Sequence, residues 1–164
     1  MTGTEHINLS PSPAALIESL RDIGYSMETA VADIIDNSTT AGAGEVWVRF
    51  LWNDGNPWLA VIDDGCGMSR EELINAMRFG SMSPLEKRSS EDLGRFGLGM
   101  KTASFSQCRR LTVLSHKNGK LSCCEWDLDR IAQLDQDNWR LAVLSKEEVE
   151  RRDELFSLYQ DYLV

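Results

Sequence analysis

Asp63-Asp64-Gly65-Cys66-Gly67-Met68 follows directly on the apolar run Val61-Ile62, and its reading decides the fold. A hydrophobic strand that ends in an acid and then turns through two alternating glycines brings a carboxylate to a tight bend. There the backbone can be approached closely by a flat ring. Asp63 could accept from a ring amino group, and Met68 could pack on the ring. An Asp-Gly pair is more often an ordinary surface turn, so the segment gains meaning from its neighbours.

Upstream, Asp33-Ile34-Ile35-Asp36-Asn37 sits in a helical pattern. Asp33 and Asn37 are four residues apart, with Cβ atoms about 5–6 Å from each other. An amide oxygen there can ligate a hard cation while the carboxylate addresses a nearby water. Downstream, Gly94-Arg95-Phe96-Gly97-Leu98-Gly99 opens a helix that carries Lys101 and Thr102. Bare N–H groups at a helix start favour phosphate. A dinucleotide fingerprint would follow a strand, and a Walker loop would place Lys directly after its second glycine. Here a polar stretch precedes the loop and Met100 separates Gly99 from Lys101. The three segments in order read as a site for ATP.

The remaining pattern supplies the scaffold. Ser12-Pro13 opens a helix with Leu16, Ile17, Leu20 and Ile23 as its stripe, ending at Gly24. Ser26 caps a second helix, on which Met27, Val31, Ile34, Ile35 and Ser38 are expected on the buried side and Asp33, Asn37 and Thr40 opposite. Glu45 to Trp52 and Trp58 to Asp63 read as a hairpin around Asn53-Asp54-Gly55-Asn56-Pro57. Ser69 and Glu72 form a capping box for a helix to about Phe79. Residues 80–96 lose periodicity, fill with Ser, Pro and charge, and are expected to form a mobile lid. A helix from Gly97 to about Gln107 follows. Leu111 to His116 and Leu121 to Trp126 read as a hairpin around Asn118-Gly119. A short strand at Leu141 to Leu144 leads into a charged helix capped by Ser145 and Glu148.

At 164 residues and 42% hydrophobic, the chain supports one domain. Residues 1–11 read as a polar arm. The net charge of −9 and pI near 4.7 argue against gripping a phosphate backbone by overall field, so no direct nucleic-acid binding is expected. No apolar run of membrane-spanning length and no leader pattern occur, which points to a cytoplasmic protein. Cys66, Cys108, Cys123 and Cys124 lack metal-ligand spacing and read as reduced packing residues.

Jointly, Asp33-x-x-x-Asn37, Asp63-x-Gly65-x-Gly67-Met68 and Gly94-x-x-Gly97-x-Gly99 resemble the three ATP-binding boxes of the GHKL superfamily: gyrase, heat-shock chaperone, histidine kinase and MutL. Residues 32–38 and 94–104 look most similar to the chaperone, MutL and MORC branch. The resemblance implies the Bergerat fold, a two-layer α/β sandwich with a mixed sheet and helices on one face. It implies ATP and Mg²⁺ as cofactors. Asn37 would ligate the metal, Asp63 would hold the adenine amino group, and the Gly97 to Gly99 amides would cradle phosphate, with Lys101 as a γ-phosphate contact. Asp33 falls at the position of the family's general base, where a glutamate is usual, so slow hydrolysis is expected. Thr40 replaces an acid of that box, and no Gly-Thr pair follows the lid. An N-terminal fragment of a longer protein is expected, whose lid closes over ATP to drive a conformational switch or homodimerisation, with downstream domains as partners. The alternatives are a histidine-kinase-type phosphotransferase module and a nucleotide sensor without turnover.

Overall fold

The computed structural model describes residues 4–5, 7, 12–22, 25–79, 99–133 and 139–163. Helix α1 (Pro13–Arg21) is followed by α2 (Met27–Thr40), whose N-cap Ser26 accepts from the Thr29 amide. Strands β1 (Val46–Leu51) and β2 (Trp58–Asp63) form an antiparallel pair, with Val46 opposite Asp63 and Leu51 opposite Trp58. Their turn places Asn53, Asp54 and Gly55 at positive φ, conformations that Asn, Asp and Gly tolerate best. Helix α3 (Arg70–Met77) begins with the expected Ser69/Glu72 capping box. Helix α4 (Gly99–Gln107) leads into β3 (Arg110–Lys117) and β4 (Lys120–Asp127), joined through positive-φ Asn118 and Gly119. Strand β5 (Ala142–Leu144) adds to β4, again antiparallel. Among the described residues the strands thus form one two-stranded and one three-stranded sheet, and every pairing is antiparallel. The result is a layered α/β fold. Residues 80–96, the expected lid, lie outside the described residues.

Successive residues of β4 point to opposite faces, and that alternation divides the core. Cys124 and Trp126 pack with Ile17, Leu73, Met77 and Phe105 from α1, α3 and α4. Leu128 and Ile131 of helix α5 (Leu128–Gln133) join the same cluster. The buried Trp126 indole donates to the Met77 carbonyl at 2.9 Å, fixing the end of α3 to the sheet. Cys123 turns the other way and packs with Leu144 and with Val149 of helix α6 (Lys146–Glu150). The main helical layer therefore covers one face, and α6 with the start of helix α7 (Asp153–Tyr162) covers part of the other. Burial drives the Cys123 thiol up to about 12. Cys66, expected as a packing residue, is exposed because it sits at the tip of the turn after β2.

Three sequence expectations need correction. Helix α1 buries Ile17 but leaves Leu16 partly exposed, while the Leu20 side chain and Ile23 lie outside the described residues. The terminal helix is two helices, α6 and α7, broken at Arg151-Arg152. Helix α5 was absent from the sequence pattern. It is capped by Asp127, whose Oδ1 accepts from the amides of Asp129 and Arg130 at 3.0 and 3.2 Å.

The break before α7 has a cause in β4. Glu125 is 2% exposed, and its carboxylate receives Arg152 Nη1 at 2.5 Å, Arg152 Nη2 at 3.3 Å and Thr112 Oγ1 at 2.8 Å. Removing the guanidinium would strand a buried charge. Arg152→Ala is expected to lower the unfolding free energy by about 3–5 kcal/mol, measured by urea denaturation. A loss below about 1 kcal/mol, the scale of an exposed pair, would show that the pair does not hold this junction.

Candidate functional site

Asp63 ends β2 beside the C-terminal part of α2. Its Oδ2 accepts from Ser38 Oγ at 2.9 Å and its Oδ1 from the Gly65 amide at 3.0 Å. Each oxygen thus has one protein donor and retains acceptor capacity for a further one. Ser38 is buried, 3% exposed, and is the residue through which the helix reads the strand end. Asp64 plays a different part: its carboxylate accepts the amides of Gly44 and Glu45 at 2.7 and 2.9 Å, and these bonds lower its pKa. The turn is pinned further by the Cys66 amide donating to the Ala41 carbonyl at 3.0 Å.

The two glycines of this turn are required by the protein itself. A Cβ on Gly65 would come within 2.9 Å of Ala41 Cβ, at the end of α2. At Gly67, with φ +64°, the same atom would collide with the His116 carbonyl of β3. Close packing of the turn on α2 and on the three-stranded sheet therefore accounts for both. The Met68 amide donates to Ser115 Oγ at 2.7 Å, and its side chain lies against the main core cluster.

On α2, Ser38 is buried and Val31, Ile34 and Ile35 are half-buried as expected, while Met27 is exposed and Ala30 is buried, which widens the buried face. At about 100° per residue, Asn37 stands roughly 20° and Asp33 roughly 60° from Ala30. Through Ala30 the buried face therefore reaches toward these two polar residues, of which Asn37 stays exposed and Asp33 is half-buried. Polar Ser38 lies inside because Asp63 meets it there. Asn37 is exposed, and its Nδ2 donates to the Asp33 carbonyl at 2.8 Å. Only a nitrogen can donate to that carbonyl, so the amide orientation is fixed with Oδ1 left as an acceptor. The Asp33 carboxylate is half-buried and receives the Tyr25 hydroxyl at 2.9 Å. Thr40 is exposed, its hydroxyl donating to the Asp36 carbonyl.

Helix α4 packs along α2 and starts at Gly99. Gly94, Arg95, Phe96, Gly97 and Leu98 of the glycine-rich segment lie outside the described residues. Lys101, expected as a γ-phosphate contact, is buried at 1% exposure. Its Nζ donates to the Ala76 carbonyl at 2.5 Å and stands 6.0 Å from the centre of the Phe79 ring. A cation is favoured there because the last carbonyls of α3 are left without helical partners. Thr102 is likewise buried. Tyr25, Ser38, Asp64 and Ser115 carry bonds that sequence reasoning assigned to none of them. The one available signal was a serine in an otherwise apolar stripe.

The chain matches the model of the histidine kinase-, DNA gyrase B-, and HSP90-like ATPase family over residues 25–158. It belongs to that family and is an ATP-binding ATPase domain with its fold. It is 34% identical to ATPase morc-1 of Caenorhabditis elegans over 91 residues, covering 56% of this chain and 10% of that protein. It is 39% identical to DNA mismatch repair protein MutL of Pelotomaculum thermopropionicum over 98 residues, 57% of this chain and 16% of the relative. MORC family CW-type zinc finger protein 1 of Homo sapiens is 32% identical over 99 residues, 57% and 10%. The chain thus spans only a small part of these relatives. No helix among the described residues is long and apolar enough to cross a membrane.

Burial holds the Lys101 pKa down at about 8, against an ordinary 10.5. Between these values the folded chain has released a proton that the unfolded chain still binds, so this group adds stability as pH rises through that window. Thermal unfolding of Lys101→Met is expected to lack that increment, giving a flatter dependence from about pH 8 to 10 than the wild type. Parallel curves would place the lysine in water.

Proposed function

We propose that this domain binds ATP or ADP together with Mg²⁺, hydrolyses ATP slowly, and couples closure of residues 80–96 to a change in domain or dimer contacts. The observation that carries the proposal is the Ser38–Asp63 bond. It brings the carboxylate at the end of β2 to the same helix that presents Asp33 and Asn37.

In this reading Asp63 accepts from the adenine amino group, with Ser38 and the Gly65 amide orienting its carboxylate. The amide oxygen of Asn37, with its nitrogen committed to the Asp33 carbonyl, is a donor of the type a hard cation takes. Bound Mg²⁺ would supply charge neutralisation for the phosphates. Asp33, one turn earlier, is the base for water. Support for lid closure comes from the composition of residues 80–96 and their place between α3 and α4. A nucleotide sensor without turnover is the second reading, favoured by the short Asp33 carboxylate already engaged by Tyr25.

Asp63→Asn places a possible donor against the amino group, and is expected to weaken ATP by about 2–3 kcal/mol in calorimetry. GTP is expected to bind poorly to the wild type. Equal affinities for ATP and GTP would remove Asp63 from base recognition.

Asp33→Ala is expected to keep nucleotide affinity and abolish phosphate release, because a base acts on water and not on the bound ground state. Asn37→Ala is expected to lose both. If wild type and Asp33→Ala release phosphate at the same rate, Asp33 is not the base, and if neither releases any the sensor reading stands.

A further inference from the structure

We infer that Tyr25 is a positioning residue for Asp33, setting the carboxylate through its hydroxyl and being set in turn by helix α4. This inference rests on the proposed role of Asp33 as the base. Tyr25 lies in the link between α1 and α2, one residue before the Ser26 cap, and its hydroxyl donates to Asp33 Oδ2 at 2.9 Å. That bond spans two turns of the helix and engages one carboxylate oxygen, leaving Oδ1 for a water. The carboxylate raises the Tyr25 pKa above its ordinary value, so the phenol stays a donor at neutral pH.

The backbone of Tyr25 is itself held. Gln107, the last residue of α4, donates from Nε2 to the Tyr25 carbonyl at 2.8 Å and from the same nitrogen to Ser106 Oγ at 3.1 Å. Arg21, at the end of α1, donates to the carbonyls of Phe105 and Cys108 at 2.8 and 2.6 Å. The link between α1 and α2 is therefore tied on both sides to the C-terminal end of α4. An aspartate has one fewer rotatable bond than a glutamate but also a shorter reach, so its usefulness depends on a fixed orientation. A displacement of about 1 Å at a reacting group can cost on the order of 10²-fold in rate. A neutral donor on one oxygen supplies the fixation without consuming the negative charge.

The test is steady-state phosphate release by the full-length protein carrying Tyr25→Phe, with ADP affinity by calorimetry and thermal unfolding alongside. The expected result is a kcat about tenfold lower with KM and ADP affinity unchanged. Gln107→Met, which releases the Tyr25 carbonyl while keeping the helix, is expected to lower kcat in the same pattern by a smaller factor. It carries the test if Tyr25→Phe does not fold. A wild-type kcat in Tyr25→Phe, with Asp33→Ala inactive, overturns the positioning role alone. A fall in melting temperature with kcat and KM unchanged makes the bond purely structural and also overturns it. Equal phosphate release by wild type and Asp33→Ala removes the base itself, and the inference with it.

Discussion

The hydrogen bond from Ser38 to Asp63 is the contact on which the arrangement of the site depends. It crosses from α2 to the end of β2 and holds there a carboxylate that could otherwise turn to solvent. With a buried hydroxyl on one oxygen and the Gly65 amide on the other, the carboxylate is satisfied while half-buried. The turn that follows can then lie flat on two surfaces at once, Ala41 beneath Gly65 and the His116 carbonyl beside Gly67. A side chain at either position would separate α2, the hairpin and the three-stranded sheet.

Helix α4 performs the complementary task for the other half of the site. Its first turns bury Lys101 and Thr102, with the ammonium on the last carbonyls of α3, while its last residues receive Arg21 and hold Tyr25. One helix thus connects the end of α3 to the Tyr25–Asp33 contact on α2. The buried lysine costs desolvation, offset by a carbonyl at a helix end and the face of Phe79.

On the opposite face of β4, the Glu125–Arg152 pair plays a purely architectural part. A carboxylate there, almost without solvent, requires a guanidinium with matching geometry. Arg152 takes extended backbone to reach it, and the helix stops and restarts around that residue.

Local rules determined much of this protein from sequence alone. The capping boxes at Ser69 and Ser145, the Asn118-Gly119 turn and the hairpin ending at Asp63 depend on residues a few positions apart, so periodicity and turn chemistry suffice to find them. The three segments that resemble the family's ATP-binding boxes were legible for the same reason, each being a short stretch with its own composition. Tertiary structure decided which residue receives the hydroxyl of Ser38, since Asp63 lies 25 positions away, and that Ala30 joins the buried side of α2. It also decided that Lys101 is buried, since the carbonyl it needs belongs to α3, and that the last helix divides, since the charge drawing Arg152 lies on β4. Helix α5 escaped notice because six residues are too few for a period, and its cap, Asp127, also ends a strand. Polar residues find partners far along the chain, and apolar patterning carries no record of where those partners lie.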